Sequence, residues 1–169
     1  SASRARSADA RARAFRNCAC GPRKVAAIIV PVNWFDISRT IVMPAQCDSY
    51  GHMNVRHYAA MFDDAGWHVL GKAGISLGDV RRRGLGTVMA TLTIEFHHEI
   101  AAGQLVLIQG AITKVGTKSF SYELRLYEAD SMTHCASEKA LEVCFDTRSR
   151  KGIALPDDMK RKLEALAIP

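Results

Sequence analysis

What most constrains this chain is a series of four strand-length runs lying behind a single amphipathic helix. From residue 86 onward, "GTVMATLTIEF", "LVLIQGAITKV", "SFSYELRLYEA" and "CASEKALEVCFDT" are each rich in β-branched or aromatic residues. The spacers "AAGQ", "GTK" and "DSMTH" are short enough to predict hairpins. Ahead of these runs, Tyr58, Met61, Phe62, Ala65 and Val69 recur at helical spacing. Asn54 is the candidate N-cap of that helix, and "GKAG" ends it. "FDISRTIVM" alternates well enough for a first strand. "LPDDMKRKLEALAIP" predicts a short closing helix, with Pro156 and two aspartates at its start.

One long helix against an antiparallel sheet is an α+β layout. The apolar stripe is buried best if the sheet curls around it. The expected architecture is therefore a hotdog fold: a long central helix wrapped by a curved antiparallel sheet of five to six strands. A chain of 169 residues suits one such domain. The net charge of +6 is local, because residues 1–30 carry seven basic groups against Asp9 alone. The rest holds sixteen of each sign, so a basic field for nucleic acid is missing from the folded part. Residues 1–32 are accordingly set apart as a basic Arg/Ala-rich tail, and 33–169 as the domain. No apolar run approaches the roughly 18–20 residues of a membrane span. Five cysteines, an odd count without a secretory signal, suggest reduced thiols and a cytoplasmic setting. Mitochondrial import through the Arg-rich tail is the alternative.

The chemistry is concentrated in "QCDSYGHMNVRHYAAMFDD", residues 46–64. Within it, "CDSYGHMNVRHY" resembles the signature of the 4-hydroxybenzoyl-CoA thioesterase family of hotdog enzymes, in which an Asp, two variable residues and Gly precede the central helix. The likeness continues through the strand segment containing "KSF" and the closing "RSRKGIALP", covering roughly residues 35–156. It implies an acyl-CoA thioesterase that works without metal or cofactor as a homodimer or homotetramer. The Asp48 position is then the catalytic carboxylate, and the helix-start amide near Val55 polarises the carbonyl. Lys118, Ser119, Arg150 and Lys151 fall where the family's nucleotide contacts tend to come from. The same fold also carries dehydratases or hydratases, and a non-catalytic acyl-CoA-binding protein is a third reading.

The residues themselves fit a thioesterase, with alternatives. Thioester hydrolysis needs a carboxylate and donors for the developing oxyanion. N–H groups at a helix start, here around Asn54 and Val55, have no partner within the helix. Gly51 lets substrate and backbone approach closely. His52 orients Asp48, holds water, or is a solvated loop histidine. Asn54 is a helix cap that can also position water. Tyr58 belongs to the core or to the substrate pocket. Asp48 could instead be an Asx-turn residue, and Asp63 on the helix is a rival carboxylate. His97 and His98 are adjacent in a predicted strand and should face opposite sides, against a shared metal.

Overall fold

The helical stripe becomes α1, Val55–Lys72, in the computed structural model of the chain, which describes residues 34–169. The basic tail lies outside the described residues. Asn54 caps α1 as expected, its Oδ1 accepting from the Arg56 N–H at 3.2 Å. The helix buries Tyr58, Phe62, Ala65, Gly66, Val69 and Leu70, while Met61 is only partly covered. Two short helices complete the helical part, one unexpected and one expected from the sequence. α2, Leu77–Arg82, is the unexpected one, while α3, Asp157–Glu164, is the predicted closing helix and buries Met159 and Leu163.

The strands are β1 (Phe35–Ile41), β2 (Leu85–Phe96), β3 (Leu105–Val115), β4 (Ser119–Glu128), β5 (Thr133–Asp146) and the two-residue β6 (Lys151–Gly152). They form one antiparallel sheet in the order β1-β3-β4-β5-β2, with β6 beside the end of β5. The sheet curls around α1, and the fold is the expected α+β hotdog arrangement. Hairpins join β3 to β4 and β4 to β5.

One expected hairpin is absent. β2 pairs with β5, from Leu85↔Asp146 to Phe96↔Ala136, and so lies at the opposite edge from β1. The reason lies in where the connecting backbone finds its partners. The Met53 N–H donates to the Ile100 carbonyl at 2.7 Å, and His52 bridges to Ala101. Val42 donates to Gln104 at 3.0 Å, and Gly103 donates back to Val42 at 2.8 Å. These bonds hold residues 100–104 against the loop that precedes α1 instead of folding them back on β2.

The core lies between α1 and the inner face of the sheet. β4 alternates strictly, burying Phe120, Tyr122, Leu124 and Leu126. Burial of each large apolar side chain contributes about 1.5–3 kcal/mol. The Tyr122 hydroxyl donates to Glu142 Oε1 at 2.9 Å and lies directly beneath α1. A Cβ at position 66 would sit 2.6 Å from that oxygen, so only glycine lets the helix approach this closely.

Glu138 on β5 is fully buried, and neither carboxylate oxygen has a hydrogen-bond partner. Burial, followed by the charges of Asp63 and Glu142, pushes its carboxyl up to about 7 from 4.5. The folded state therefore holds a proton that the unfolded state releases at a lower pH. This group destabilises the fold progressively as pH rises from 4.5 to about 7, by on the order of 3 kcal/mol, and by no more above that. Denaturant unfolding of the parent and of Glu138→Gln at pH 5 and pH 8 should show the variant gaining relative stability at pH 8. An advantage that is the same at both pH values would contradict a buried, proton-holding Glu138.

Candidate active site

The loop between β1 and α1 makes a narrow turn. Asp48 N–H donates to the His52 carbonyl at 3.0 Å, and Gly51 N–H returns to the Asp48 carbonyl at 3.1 Å. Gly51 sits at φ +90°, a conformation that favours glycine, so its role is to make this turn. The Tyr50 N–H donates to Asp48 Oδ1 at 2.9 Å. The Asx-turn is thus real, but it uses one oxygen only. Oδ2 faces His52 Nδ1 at 3.7 Å.

His52 lies between two carboxylates, because its Nε2 is 3.8 Å from Glu99 Oε1. The Tyr50 ring stacks on it at 6.0 Å, nearly parallel. Asp48, His52, Asn54, Val55 and Tyr58 all open on one cavity of about 450 Å³. Among the described residues, the Val55 N–H has no acceptor. It stands at the first turn of an 18-residue helix, where the dipole favours a partial negative charge. Tyr58 packs edge-on against Phe96 at 5.1 Å. Burial pushes the Tyr58 phenol up to about 12, so it stays a neutral donor.

The far wall of the cavity is Phe96, His97, His98 and Glu99, of which the sequence reading gave no site role to any. Alternation fails for the two histidines because β2 has ended. Both of their N–H groups donate to the Cys135 carbonyl, where β5 bulges against β4, and both residues line the cavity. They have different partners. His97 Nε2 meets Ser137 Oγ at 3.2 Å, while His98 Nδ1 meets the His134 carbonyl at 2.8 Å. The His134 ring in turn packs tilted against His97 at 4.5 Å, and burial followed by that neighbour holds its imidazole below the ordinary range. The available signal was the pairing of residues 100 and 101 with the Asp48 loop, which is a long-range feature.

Lys118, Ser119, Arg150 and Lys151 are not brought to this cavity. Ser119 pairs with Val143, and Lys151 with Asp146, at the end of β5 away from Ala136 and Phe96. Seven residues of strand from Ala136 to Val143 correspond to about 20 Å or more. Within one chain these groups therefore stand well away from the Asp48 carboxylate itself.

The model of the thioesterase-like superfamily matches residues 42–163, which span the Asp48 turn, α1 and the whole sheet beyond β1. The chain belongs to this superfamily. No curated protein sequence matches it. Solved structures with the same fold include a 1,4-dihydroxy-2-naphthoyl-CoA thioesterase from Synechocystis, 21% identical with a TM-score of 0.69 over 80% of this chain and 99% of that one. A probable thioesterase from Escherichia coli is 20% identical, with a TM-score of 0.68 over 78% and 98%. A Staphylococcus aureus protein solved in complex with CoA is 16% identical, with a TM-score of 0.72 over 78% and 84%. Thioester hydrolysis is the activity of this superfamily, and the chain is a hydrolase acting on thioester bonds.

Because Asn54 fixes the first turn that carries Val55, Asn54→Ala should cost about 1 kcal/mol of stability. It should also lower kcat more than it raises KM, since a loosened amide no longer meets the developing oxyanion. Thermal unfolding and steady-state kinetics check both, with Asn54→Asp, which can still cap, recovering most of the stability. Unchanged kcat in a destabilised Asn54→Ala would separate the cap from the site.

Proposed function

We propose that the chain hydrolyses acyl-CoA thioesters at the Asp48 cavity, in the cytoplasm and as an edge-to-edge homodimer or a tetramer of such dimers. One observation carries the reading: a carboxylate and an unpaired helix-start N–H open on the same cavity. The Val55 N–H receives the thioester oxygen, and Asp48 Oδ2 either attacks the carbonyl carbon or takes a proton from an attacking water. The tetrahedral oxyanion forms against the amide and the α1 dipole. Its collapse breaks the C–S bond, and the CoA sulfur leaves as a thiolate that takes a proton from solvent or, where Asp48 acted as base, from the protonated carboxyl. Where Asp48 attacked directly, water then hydrolyses the acyl–Asp48 anhydride to release the free acid and restore the carboxylate. His52, held between Asp48 and Glu99, fixes the side from which Asp48 acts.

The dimer is supported by the open β2 edge, which exposes Val88, Met89, Leu92 and Phe96. If two β2 strands pair antiparallel about a two-fold axis, the Leu85 end of one lies beside the Phe96 end of the other. Asp146, the partner of Leu85, and the adjoining Arg150–Lys151 turn then come within about two strand spacings, roughly 10 Å, of the second copy's cavity. A second copy therefore supplies the basic groups that one chain keeps away from Asp48. Cys47, Cys135 and Cys144 are free thiols, which suits a reducing compartment.

Asp48→Asn keeps the shape of the turn but removes the base. It should lower kcat by about 10²- to 10⁴-fold with little change in folding or acyl-CoA affinity, as followed by CoA release with a thiol reagent. Near-parental turnover in Asp48→Asn alongside a collapse in Asp63→Asn would move the reaction to the helix carboxylate. A parent that releases no CoA from a panel of acyl-CoAs would instead favour a binding protein or a dehydratase.

A further inference from the structure

The far wall of the Asp48 cavity is chain that has left the sheet. The His97 and His98 N–H groups both donate to the Cys135 carbonyl, at 2.8 and 3.1 Å, so one acceptor serves two donors. Cys135 is passed over in the β4–β5 register, which runs from Leu126↔Ala136 to Tyr127↔His134. This backbone anchor leaves the two histidine side chains to be fixed by other bonds, and those bonds lead to His134. His98 Nδ1 lies 2.8 Å from the His134 carbonyl. His97 Nε2 lies 3.2 Å from Ser137 Oγ, and that oxygen lies 2.9 Å from His134 Nε2. The His134 ring packs tilted against His97 at 4.5 Å and against Tyr127 at 5.1 Å. His134 itself does not line the cavity.

A carbonyl only accepts, and this fixes where the hydrogens sit. His98 Nδ1 donates to the His134 carbonyl. His134 Nε2 is also 3.1 Å from the Ala136 carbonyl, so it carries a hydrogen and donates. Ser137 Oγ then accepts from His134 and gives its own hydrogen to His97 Nε2. Ser137 is buried, so a bond lost from this link is not replaced by water and is costly. The link runs in one direction, from His134 through Ser137 to His97.

Resting on the thioester reading above, we infer that His134 is a positioning residue: it holds the His97–His98 wall of the Asp48 cavity, and does so only while its ring is neutral. A second proton would set a positive charge against the His97 ring and toward Arg125 on β4, in half-buried surroundings. Glu123, the acid that favours the charge, is already paired with Arg125 at 2.8 Å. Burial, followed by His97, accordingly holds the His134 imidazole below its ordinary 6.5. Once the wall is released, the ring is in water and takes a proton at the ordinary value. The hold is therefore complete above 6.5 and weakens as pH falls below it.

The test follows kcat/KM by CoA release between about pH 5 and 8, together with ring and amide NMR of the full chain. His134→Gln keeps a donor near the Nε2 position and cannot take a proton. It should match the parent at pH 8 and hold its activity to lower pH than the parent does. His134→Ala keeps the carbonyl but loses the ring, and should lose about tenfold or more at pH 8. In the parent, the His98 and Glu99 amide signals should shift with the midpoint of the His134 ring, and this step should vanish in His134→Gln. Should His134→Ala fail to fold, the glutamine variant and the NMR decide alone. The same acid limb in parent and His134→Gln would overturn the inference by assigning that limb to another group, such as Asp48 or His52. A neutral His134 with its hydrogen on Nδ1, or parental turnover in His134→Ala, would overturn it as well. No CoA release at any pH, with the shared NMR step present, would overturn the thioester reading and leave the hold on the wall standing. Loss of both would overturn both.

Discussion

The hydrogen bond from the Met53 N–H to the Ile100 carbonyl, 2.7 Å long and closed over by two buried side chains, is the constraint on which the site depends. It joins the loop before α1 to the segment after β2, residues far apart in sequence. On one side it fixes the entry into α1, and with it Asp48, His52 and the free Val55 N–H. On the other it places His97, His98 and Glu99 as the facing wall. A hairpin between β2 and β3 would have satisfied the same backbone groups locally, but it would have left the helix start without a cavity.

The rest of the structure serves to hold α1 against the sheet. Gly66 lets the helix lie on the Tyr122 hydroxyl, and that hydroxyl occupies one oxygen of Glu142. The core is consequently apolar around Phe62, Leu124 and Leu126 but acidic toward the β2 edge. Leaving Glu138 without a partner costs stability that a leucine there would not.

Much of this was legible from local pattern. The period of Tyr58, Phe62, Ala65 and Val69 gave α1, Asn54 gave its cap, and the alternation of β4 gave a strand with one buried face. Asp48 and Gly51 could be read because a turn and a helix start are short-range structures with their own residue preferences. The place of β2 could not be read in this way. Its neighbour is chosen by how the sheet closes around the helix, and no spacer length records that choice. The facing of the histidines at 97 and 98 was misread for a related reason, since the strand rule was applied to two residues beyond the end of β2. The exposed Glu99 and the buried Glu138 have ordinary sequence surroundings, and only their spatial neighbours distinguish them.

The claim at the centre is that the Val55 N–H and Asp48 face the same carbonyl. A crystal structure of the chain with a non-hydrolysable acyl-CoA analogue, its sulfur replaced by methylene, tests this directly. The expected result is a ketone oxygen about 2.7–3.1 Å from the Val55 nitrogen, with the Asp48 carboxylate over the carbonyl carbon or one water away from it. A carbonyl bound elsewhere, with Val55 N–H facing solvent and Asp48 out of reach, would contradict it.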